Sequence, residues 1–393
     1  IAMGDGQFYK DIVRSSGFVR DFYEAVKIGT ESVIDRIFIT GISPIMLDDM
    51  TSGFNISINL TTDVAVNEML GFTEAQLRSM IRQIGAGVDS GEDQLVEELR
   101  ESYNGYLFNE AGKARVYNPD MVLYFFHSWQ TSGQYPKQLI DDNVRTDYGK
   151  LQRLMSSERN RQQLEEIIKE ERVIANLVSK FSFDLMYDEE YFVSLLFYMG
   201  LLTITGTKYG QTELGIPNYV IRKMFWEYFE RRLRETAGIH YASGELNKAV
   251  WEMAYDGKLQ PFLDFLNGRI LKALSNRDLI LFDEKAFKVL LLAYLTMTNL
   301  YRPISEREVE GRYTDILLEK DFRAQGTPYE WLLELKYVKT GDRGNLEERI
   351  EVAKQEGLTQ LNQYAESREL AGKPGLKAVV LILIGRDEVV AVE

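Results

Sequence analysis

The stretch YEWLLELKY, residues 329–337, predicts a β-strand, because an apolar run of this length carries charged residues two positions apart. Upstream, the stretch YTDILL, residues 313–318, predicts a second apolar strand with Asp315 in its middle. Residues two apart in a strand point to the same face, so Glu334 and Lys336 share one face. The two strands therefore place three ionisable side chains within an otherwise apolar part of the chain.

Asp315, Glu334 and Lys336 are the strongest candidates for a catalytic site. Burying charge among isoleucine, leucine and tryptophan is unfavourable unless the charges pair or bind a metal. Two carboxylates can hold a divalent cation that polarises a phosphate and activates water, while a lysine stabilises or orients the nucleophile. The alternative is that Glu334 and Lys336 form an ion pair on an exposed strand face and that Asp315 faces solvent.

The composition limits the kind of metal site that this chain can build. It contains no cysteine and two histidines, which excludes disulfides and cysteine-ligated zinc and disfavours a histidine-rich site. Oxygen ligands favour Mg²⁺, Mn²⁺ or Ca²⁺. The net charge of −14 argues against a general nucleic-acid coat protein, yet it leaves a nuclease open because bound cations offset phosphate repulsion.

No run of about 18 apolar residues is present, so neither a membrane-spanning helix nor a membrane partner is predicted. The absence of cysteine and of a signal peptide predicts a cytoplasmic protein. The sequence leaves the oligomeric state open.

The chain is predicted to be a mixture of α/β and all-α regions. In its first part, residues 8–30 predict a helix, residues 36–41 a buried parallel strand, and Thr73 the N-cap of a helix over residues 72–83. The middle is predicted to be mainly helical, with one short strand over residues 202–207. The last part predicts two strands, a long helix over residues 346–367 and two further strands. The predicted domains are 1–89, 90–281 and 282–393.

Asp315, followed after eighteen residues by Glu334-Leu335-Lys336, resembles the motif of the PD-(D/E)XK nuclease superfamily. Two flanking stretches strengthen the resemblance, SEREV at residues 305–309 and QLNQY at residues 360–364. The resemblance implies a metal-dependent nuclease that uses Mg²⁺ or Mn²⁺ to cut nucleic acid, with DNA favoured over RNA. It adds Glu308 and Gln360 to the site, with Tyr364 as a weaker member, and makes the Leu335 carbonyl a third metal ligand beside Asp315 and Glu334.

Five motifs occur along the chain in an order similar to that of bacterial AAA-ATPase-like proteins with a C-terminal PD-(D/E)XK domain. They are FITGISP at 38–44, SGFN at 52–55, YNGY at 103–106, YNP at 117–119 and IPN at 216–218. The resemblance implies that residues 1–89 are the remnant of an α/β P-loop ATPase core, followed by a helical lid and linker region.

No phosphate-binding loop of the form G-x-x-x-x-G-K-[ST] occurs in the sequence. The resemblance therefore implies an N-terminally truncated chain that neither binds ATP well nor hydrolyses it, and ATP is a cofactor of the full-length protein alone. By the same resemblance, Thr40 corresponds to a nucleotide sensor at a strand end, although a capping role is equally compatible with its position.

Three functional hypotheses follow from the sequence. The first is a divalent-metal-dependent nuclease coupled, in the full-length protein, to an ATPase-like module. The second is a regulatory or binding protein whose nuclease fold is an inactive scaffold. The third, which concerns the ATPase-like half, is a structural fragment without nucleotide. The intact Asp315, Glu334 and Lys336 favour the first, because a degenerate site is expected to lose one of them.

Overall fold

A computed structural model describes most of the chain. The described residues are 17–41, 56–85, 91–141, 157–178, 188–275, 283–324, 326–341 and 345–392. The chain divides into two compact units, residues 1–222 and residues 223–393. The predicted domain boundaries at 89/90 and 281/282 stay predictions. Within the described residues, no helix combines the length and the apolar character needed to cross a membrane.

The first unit is helical with one small sheet. Its helices are α1 (Phe18–Gly29), α2 (Glu74–Ile84), α3 (Glu92–Tyr103), α4 (Pro119–Ser132), α5 (Glu158–Glu170) and α6 (Glu189–Tyr198), and α7 (Tyr219–Ala237) begins there. Its antiparallel sheet has the order β1 (Arg172–Ala175), β3 (Gln211–Gly215), β2 (Thr203–Lys208). The sequence had indicated a strand only at β2.

Thr73 is the N-cap of α2, as predicted. Its side chain accepts a hydrogen bond from the Gln76 backbone, and the Gln76 side chain accepts one from the Thr73 backbone. This reciprocal pair is a capping box, which satisfies two backbone donors that the first helical turn leaves without partners.

The strand predicted over residues 36–41 is wrong, because these residues form coil and most of them are exposed. Phe38 is 64% exposed, which is incompatible with a buried strand. A strand requires a neighbouring segment to pair its backbone groups, and no described segment pairs with this one. The structure therefore does not show the predicted ATPase-core remnant. The beginning of the helix predicted over 8–30 lies outside the described residues.

The second unit begins within α7 and consists of helices and a five-stranded sheet. Its helices are α8 (Ser243–Trp251), α9 (Gln260–Phe265), α10 (Lys272–Ser275), α11 (Glu284–Thr296) and α12 (Leu346–Ala365), with π-helical turns at Glu252–Asp256 and Leu266–Leu271. Its strands are β4 (Tyr301–Val309), β5 (Arg312–Lys320), β6 (Glu330–Val338), β7 (Leu376–Ile384) and β8 (Glu388–Val392).

The large sheet has the strand order β4-β5-β6-β7-β8. All neighbours are antiparallel except β6 and β7, which are parallel and are connected through α12. A parallel connection requires a crossover, usually a helix, because the chain must return to the end of the sheet at which the first strand began. The strands predicted around Asp315 and Glu334 are thus confirmed as β5 and β6.

Helix α12 packs closely on one face of the sheet. Asn345 caps its first turn by accepting a hydrogen bond from the Glu347 backbone. Leu361 and Tyr364 of the helix belong to one core cluster with Leu317 of β5 and Leu332 of β6. Gly357 permits the close approach, because a Cβ at this position would lie 2.5 Å from Cγ1 of Val380.

Hydrogen bonds between side chains and backbone groups join the segment before α11 to the sheet. Lys377 of β7 donates to the Gly257 carbonyl at 2.7 Å, and the Trp331 indole donates to the Met253 carbonyl at 3.3 Å. The Asn267 side chain donates to the Val389 carbonyl and accepts from the Val389 N–H. These bonds hold residues 253–267 to the sheet, within the second unit.

Candidate active site

The pairing of β5 with β6 is short, and it positions the candidate site. Three residue pairs form the ladder, from Ile316 opposite Leu333 to Leu318 opposite Trp331. Extending this register by one residue places Asp315 opposite Glu334. Residues opposite each other in an antiparallel pair share a face, so both acidic side chains lie on the face covered by α12.

At the end of the β5–β6 ladder, the Asp315 side chain takes the place of a backbone acceptor. Its Oδ2 accepts a hydrogen bond of 2.7 Å from the Leu335 N–H, which would otherwise seek a carbonyl of β5. The backbone N–H and C=O of one strand residue point to the same side, so the Leu335 carbonyl also faces β5 and the site. The structure thus brings together Asp315, Glu334 and the Leu335 carbonyl, the three groups predicted to hold a metal.

Glu334 is buried, with 3% of its surface exposed. Its Oε1 accepts a hydrogen bond of 2.7 Å from Lys336 Nζ, which also donates to the Leu335 carbonyl at 3.2 Å. Burial raises the pKa of Glu334 to about 7, and the neighbouring Asp315 charge adds to this effect while Lys336 opposes it. One ammonium group therefore compensates two adjoining carboxylates only in part.

Glu284, in the first turn of α11, also lies within the electrostatic reach of the site. Burial raises the pKa of its carboxyl group, the Asp315 charge raises it further, and Lys336 and Lys288 lower it. The residue keeps an exposed surface, so it lies at the rim. Sequence reasoning missed it, because an acidic residue in a first helical turn has the ordinary explanation of favouring the helix dipole.

Tyr364 on α12 contacts the strand that carries Asp315. Its hydroxyl donates a hydrogen bond of 2.7 Å to the Tyr313 carbonyl. Burial raises the pKa of Tyr364, and the charges of Glu334 and Asp315 raise it further. Tyr364 therefore lies at the site. Gln360, one turn earlier on the same helix, is half-buried.

The remaining predicted residues lie in different settings. Glu308 is an exposed residue of β4, opposite Tyr313. Thr40 lies in exposed coil of the first unit and does not end a strand. The roles predicted for both stay predictions.

The donor set fits a hard divalent cation. Among the described residues, no three His, Cys, Asp or Glu side chains are arranged to hold a metal. Two carboxylates and a carbonyl are nevertheless the oxygen ligands that Mg²⁺ takes, commonly with water completing its shell. The Lys336 ammonium already contacts Glu334 Oε1 and the Leu335 oxygen, so these atoms attract positive charge. Glu334 Oε1 and the Leu335 carbonyl oxygen are therefore suited to contact a cation.

Comparison with known families finds a match for part of the chain. Residues 282–392 match the sequence model of the PD-(D/E)XK nuclease superfamily, so the five-stranded sheet and α12 form a nuclease-type domain. The match does not extend to the ATPase-like motifs of residues 38–218. No curated protein and no solved structure matches the chain.

Proposed function

We propose that the second unit is a divalent-metal-dependent nuclease that hydrolyses phosphodiester bonds. The observation that carries the proposal is the adjoining pair of carboxylates, Asp315 and Glu334, with a pKa of about 7 for the buried Glu334. Buried like charges are unfavourable in a purely structural position, and perturbed pKa values of this kind concentrate at functional sites.

Asp315, Glu334 and the Leu335 carbonyl would hold Mg²⁺ or Mn²⁺. The bound cation would polarise the phosphate and lower the pKa of a bound water. Lys336 would orient the attacking water and stabilise negative charge on the phosphate. Glu284 would accept a proton or hold water at the rim. Tyr364 would position the strand that carries Asp315 through its bond to the Tyr313 carbonyl. Glu308 and Gln360 stay candidates from the family resemblance alone.

The proposed substrate is nucleic acid, with DNA favoured over RNA. The chain carries a net charge of −14, so its affinity for a polyanion should be low without a divalent cation and should fall with added salt.

The decisive experiment measures cleavage of plasmid, linear duplex, single-stranded DNA and RNA, with Mg²⁺, Mn²⁺, Ca²⁺ or EDTA. We expect cleavage with Mg²⁺ or Mn²⁺ and none with EDTA. Asp315→Asn should abolish it, since one ligand charge is lost while the bond from Leu335 can be kept. Glu351→Gln, an exposed change on α12, is the matched control. Equal cleavage by wild type and Asp315→Asn would refute the proposal.

The alternative is a regulatory or binding protein with an inactive nuclease scaffold. Its support is that the described residues hold no cluster of three potential metal-binding side chains. Calorimetric titration with Mn²⁺ separates the two functions. Binding that Asp315→Asn removes supports the nuclease, and the absence of binding supports the scaffold.

Coupling to an AAA-ATPase-like module in a longer bacterial protein is a further part of the proposal. It rests only on the order of the motifs in residues 38–218, and Thr40 would be the sensor residue. This chain should show no appreciable ATP hydrolysis, because the loop and lysine that hold the β- and γ-phosphates are missing from its sequence. Steady ATP turnover by the purified chain would contradict this part.

A further inference from the structure

Lys336 contacts two of the three oxygens assigned to metal binding. Its Nζ lies 2.7 Å from Glu334 Oε1 and 3.2 Å from the Leu335 carbonyl oxygen. An ammonium group and a divalent cation at these same two oxygens would lie a few ångströms apart and repel each other strongly. The two positive charges therefore compete for one position.

The competition has a physical origin in the burial of the carboxylates. The Glu334 side chain is 4% exposed and adjoins Asp315, so solvent gives this pair little compensation. A positive charge must lie beside the pair for both carboxylates to remain ionised. Lys336 supplies that charge in the structure, and a divalent cation would supply it more fully.

Lys336 also has a route away from Glu334. Its side chain is 18% exposed, and Tyr313, on the neighbouring strand beyond the last ladder pair, is 61% exposed. The unbranched lysine stem rotates freely about several bonds. The ammonium can therefore move toward solvent while the backbone of β6 stays in place.

We propose that Lys336 is a displaceable counter-ion, which occupies the cation position until a divalent metal binds and is then released toward solvent. The inference rests on the proposed metal-dependent function. It adds that the binding of the metal is the step that frees the Lys336 ammonium group from Glu334. Lys336 would thus orient water or phosphate only after the metal has taken its place.

A second lysine of the same sheet serves as an internal control. Lys377 of β7 lies over the rings of Tyr329 and Trp331 and donates to the Gly257 carbonyl at 2.7 Å. None of these partners belongs to the proposed metal site. The surroundings of Lys377 should therefore be unaffected by divalent cations.

The first test is lysine labelling of the full chain with an amine-reactive reagent, read residue by residue by mass spectrometry. We expect saturating Mn²⁺ to increase labelling of Lys336 at least about threefold over EDTA, while Lys377 stays unchanged. Increased labelling of Lys336 alone supports the proposal. Unchanged or decreased labelling of Lys336, with Mn²⁺ shown to bind by calorimetry, overturns it and leaves the proposed nuclease standing.

The second test compares Mn²⁺ affinity of wild type and Lys336→Met by calorimetric titration. Removal of one charge-assisted competitor should tighten binding about tenfold. Binding to Lys336→Met alone also supports the proposal. Equal or weaker binding by a folded Lys336→Met overturns it, and no binding by either protein overturns both this inference and the proposed function. The labelling test uses wild-type protein, so it decides the question even where Lys336→Met folds poorly.

Discussion

Strands β5 and β6 carry two pairs of acidic residues, one at each end of their short ladder. Asp315 lies opposite Glu334 at one end, and the same register places Glu319 opposite Glu330 at the other. At each end of the ladder, an acidic side chain accepts a hydrogen bond from a backbone N–H of the neighbouring strand. Asp315 accepts from the Leu335 N–H, and Glu330 accepts from the Lys320 N–H at 3.1 Å.

The two pairs differ in the positive charge that surrounds them. Glu319 pairs with Arg302, Arg307 and Lys373, and Lys373 also pairs with Glu330 at 2.8 Å. Burial alone would raise the pKa of Glu319, but these three cations outweigh it and hold the pKa below its usual value.

The Asp315–Glu334 pair has Lys336 as its direct partner, and the pKa of Glu334 is raised to about 7. Acidic residues alone therefore do not identify a functional site. The pair with sufficient countercharge is suited to holding the sheet together. The pair with insufficient countercharge is suited to attracting a cation.

The largest expected difference between the two pairs is in activity. Glu334→Gln should reduce cleavage more than about 100-fold, beyond the effect usual for groups that only support a metal ligand. Glu330→Gln, at the other end of the same strand, should leave the rate within about threefold of wild type. Single-turnover cleavage at saturating Mn²⁺ measures both. Similar losses in both folded variants would break the distinction.

The second difference is in stability. Glu319→Ala leaves Arg302, Arg307 and Lys373 without their shared carboxylate, and it should lower the free energy of unfolding by about 3 kcal/mol. Asp315→Asn removes a like-charge contact with Glu334 and should stabilise the protein in EDTA. Urea unfolding followed by tryptophan fluorescence compares the two variants. A greater loss for Asp315→Asn would contradict the structural role assigned to Glu319.

The pH dependence of stability should have opposite signs at the two ends. The pKa of Glu334 is raised from 4.5 to about 7, so its folded form retains a proton that the unfolded form releases. Its contribution to the unfolding free energy should therefore decline as the pH rises from about 4.5 to about 7. The pKa of Glu319 is lowered, so its contribution is present above pH 4.5 and lost as the pH falls through the folded pKa.

Urea titrations in EDTA across this pH range, with Glu334→Gln and Glu319→Gln, isolate the two contributions. Glu334→Gln should remove the decline between pH 4.5 and 7, and Glu319→Gln should remove the loss in acid. Slopes of the same sign for both residues would show that countercharge does not distinguish the pairs.

The smallest expected effect concerns Glu284, which lies at the rim of the Asp315–Glu334 site. Glu284→Gln should slow cleavage about tenfold, as a group that acts on the site from its outer shell. Glu308→Gln should have a smaller effect, because both residues are exposed but the charge of Asp315 acts on Glu284. Cleavage rates of the two variants decide between them. A larger loss for Glu308→Gln would favour the residue indicated by the family resemblance.

The sequence predicted the strands and the shared face of the site because both depend on local sequence pattern. Glu334 and Lys336 lie two residues apart, and strand geometry alone places them together. The position of Asp315 opposite Glu334 depends on the register between β5 and β6, which no local sequence pattern specifies. Their roles as metal ligands remain predictions.

Other features escaped sequence reasoning for identifiable reasons. The apolar run at 36–41 predicted a strand, but a strand also needs a partner, and an apolar run carries no information about one. The hairpin strand β3 was missed because its sequence QTELG is polar at its beginning. The contribution of Glu284 arises from the position of α11 relative to β5, which lies beyond any sequence spacing.

The bonds between Asn267 and Val389 have a consequence for self-association. Strand β8 lies at one edge of the five-stranded sheet, and an edge strand offers unpaired backbone groups to any other extended chain. The Asn267 side chain occupies both the N–H and the C=O of Val389, much as a neighbouring strand would. Another molecule therefore cannot add a strand in register at Val389 without first breaking two hydrogen bonds, so this amide side chain opposes edge-to-edge association at that position.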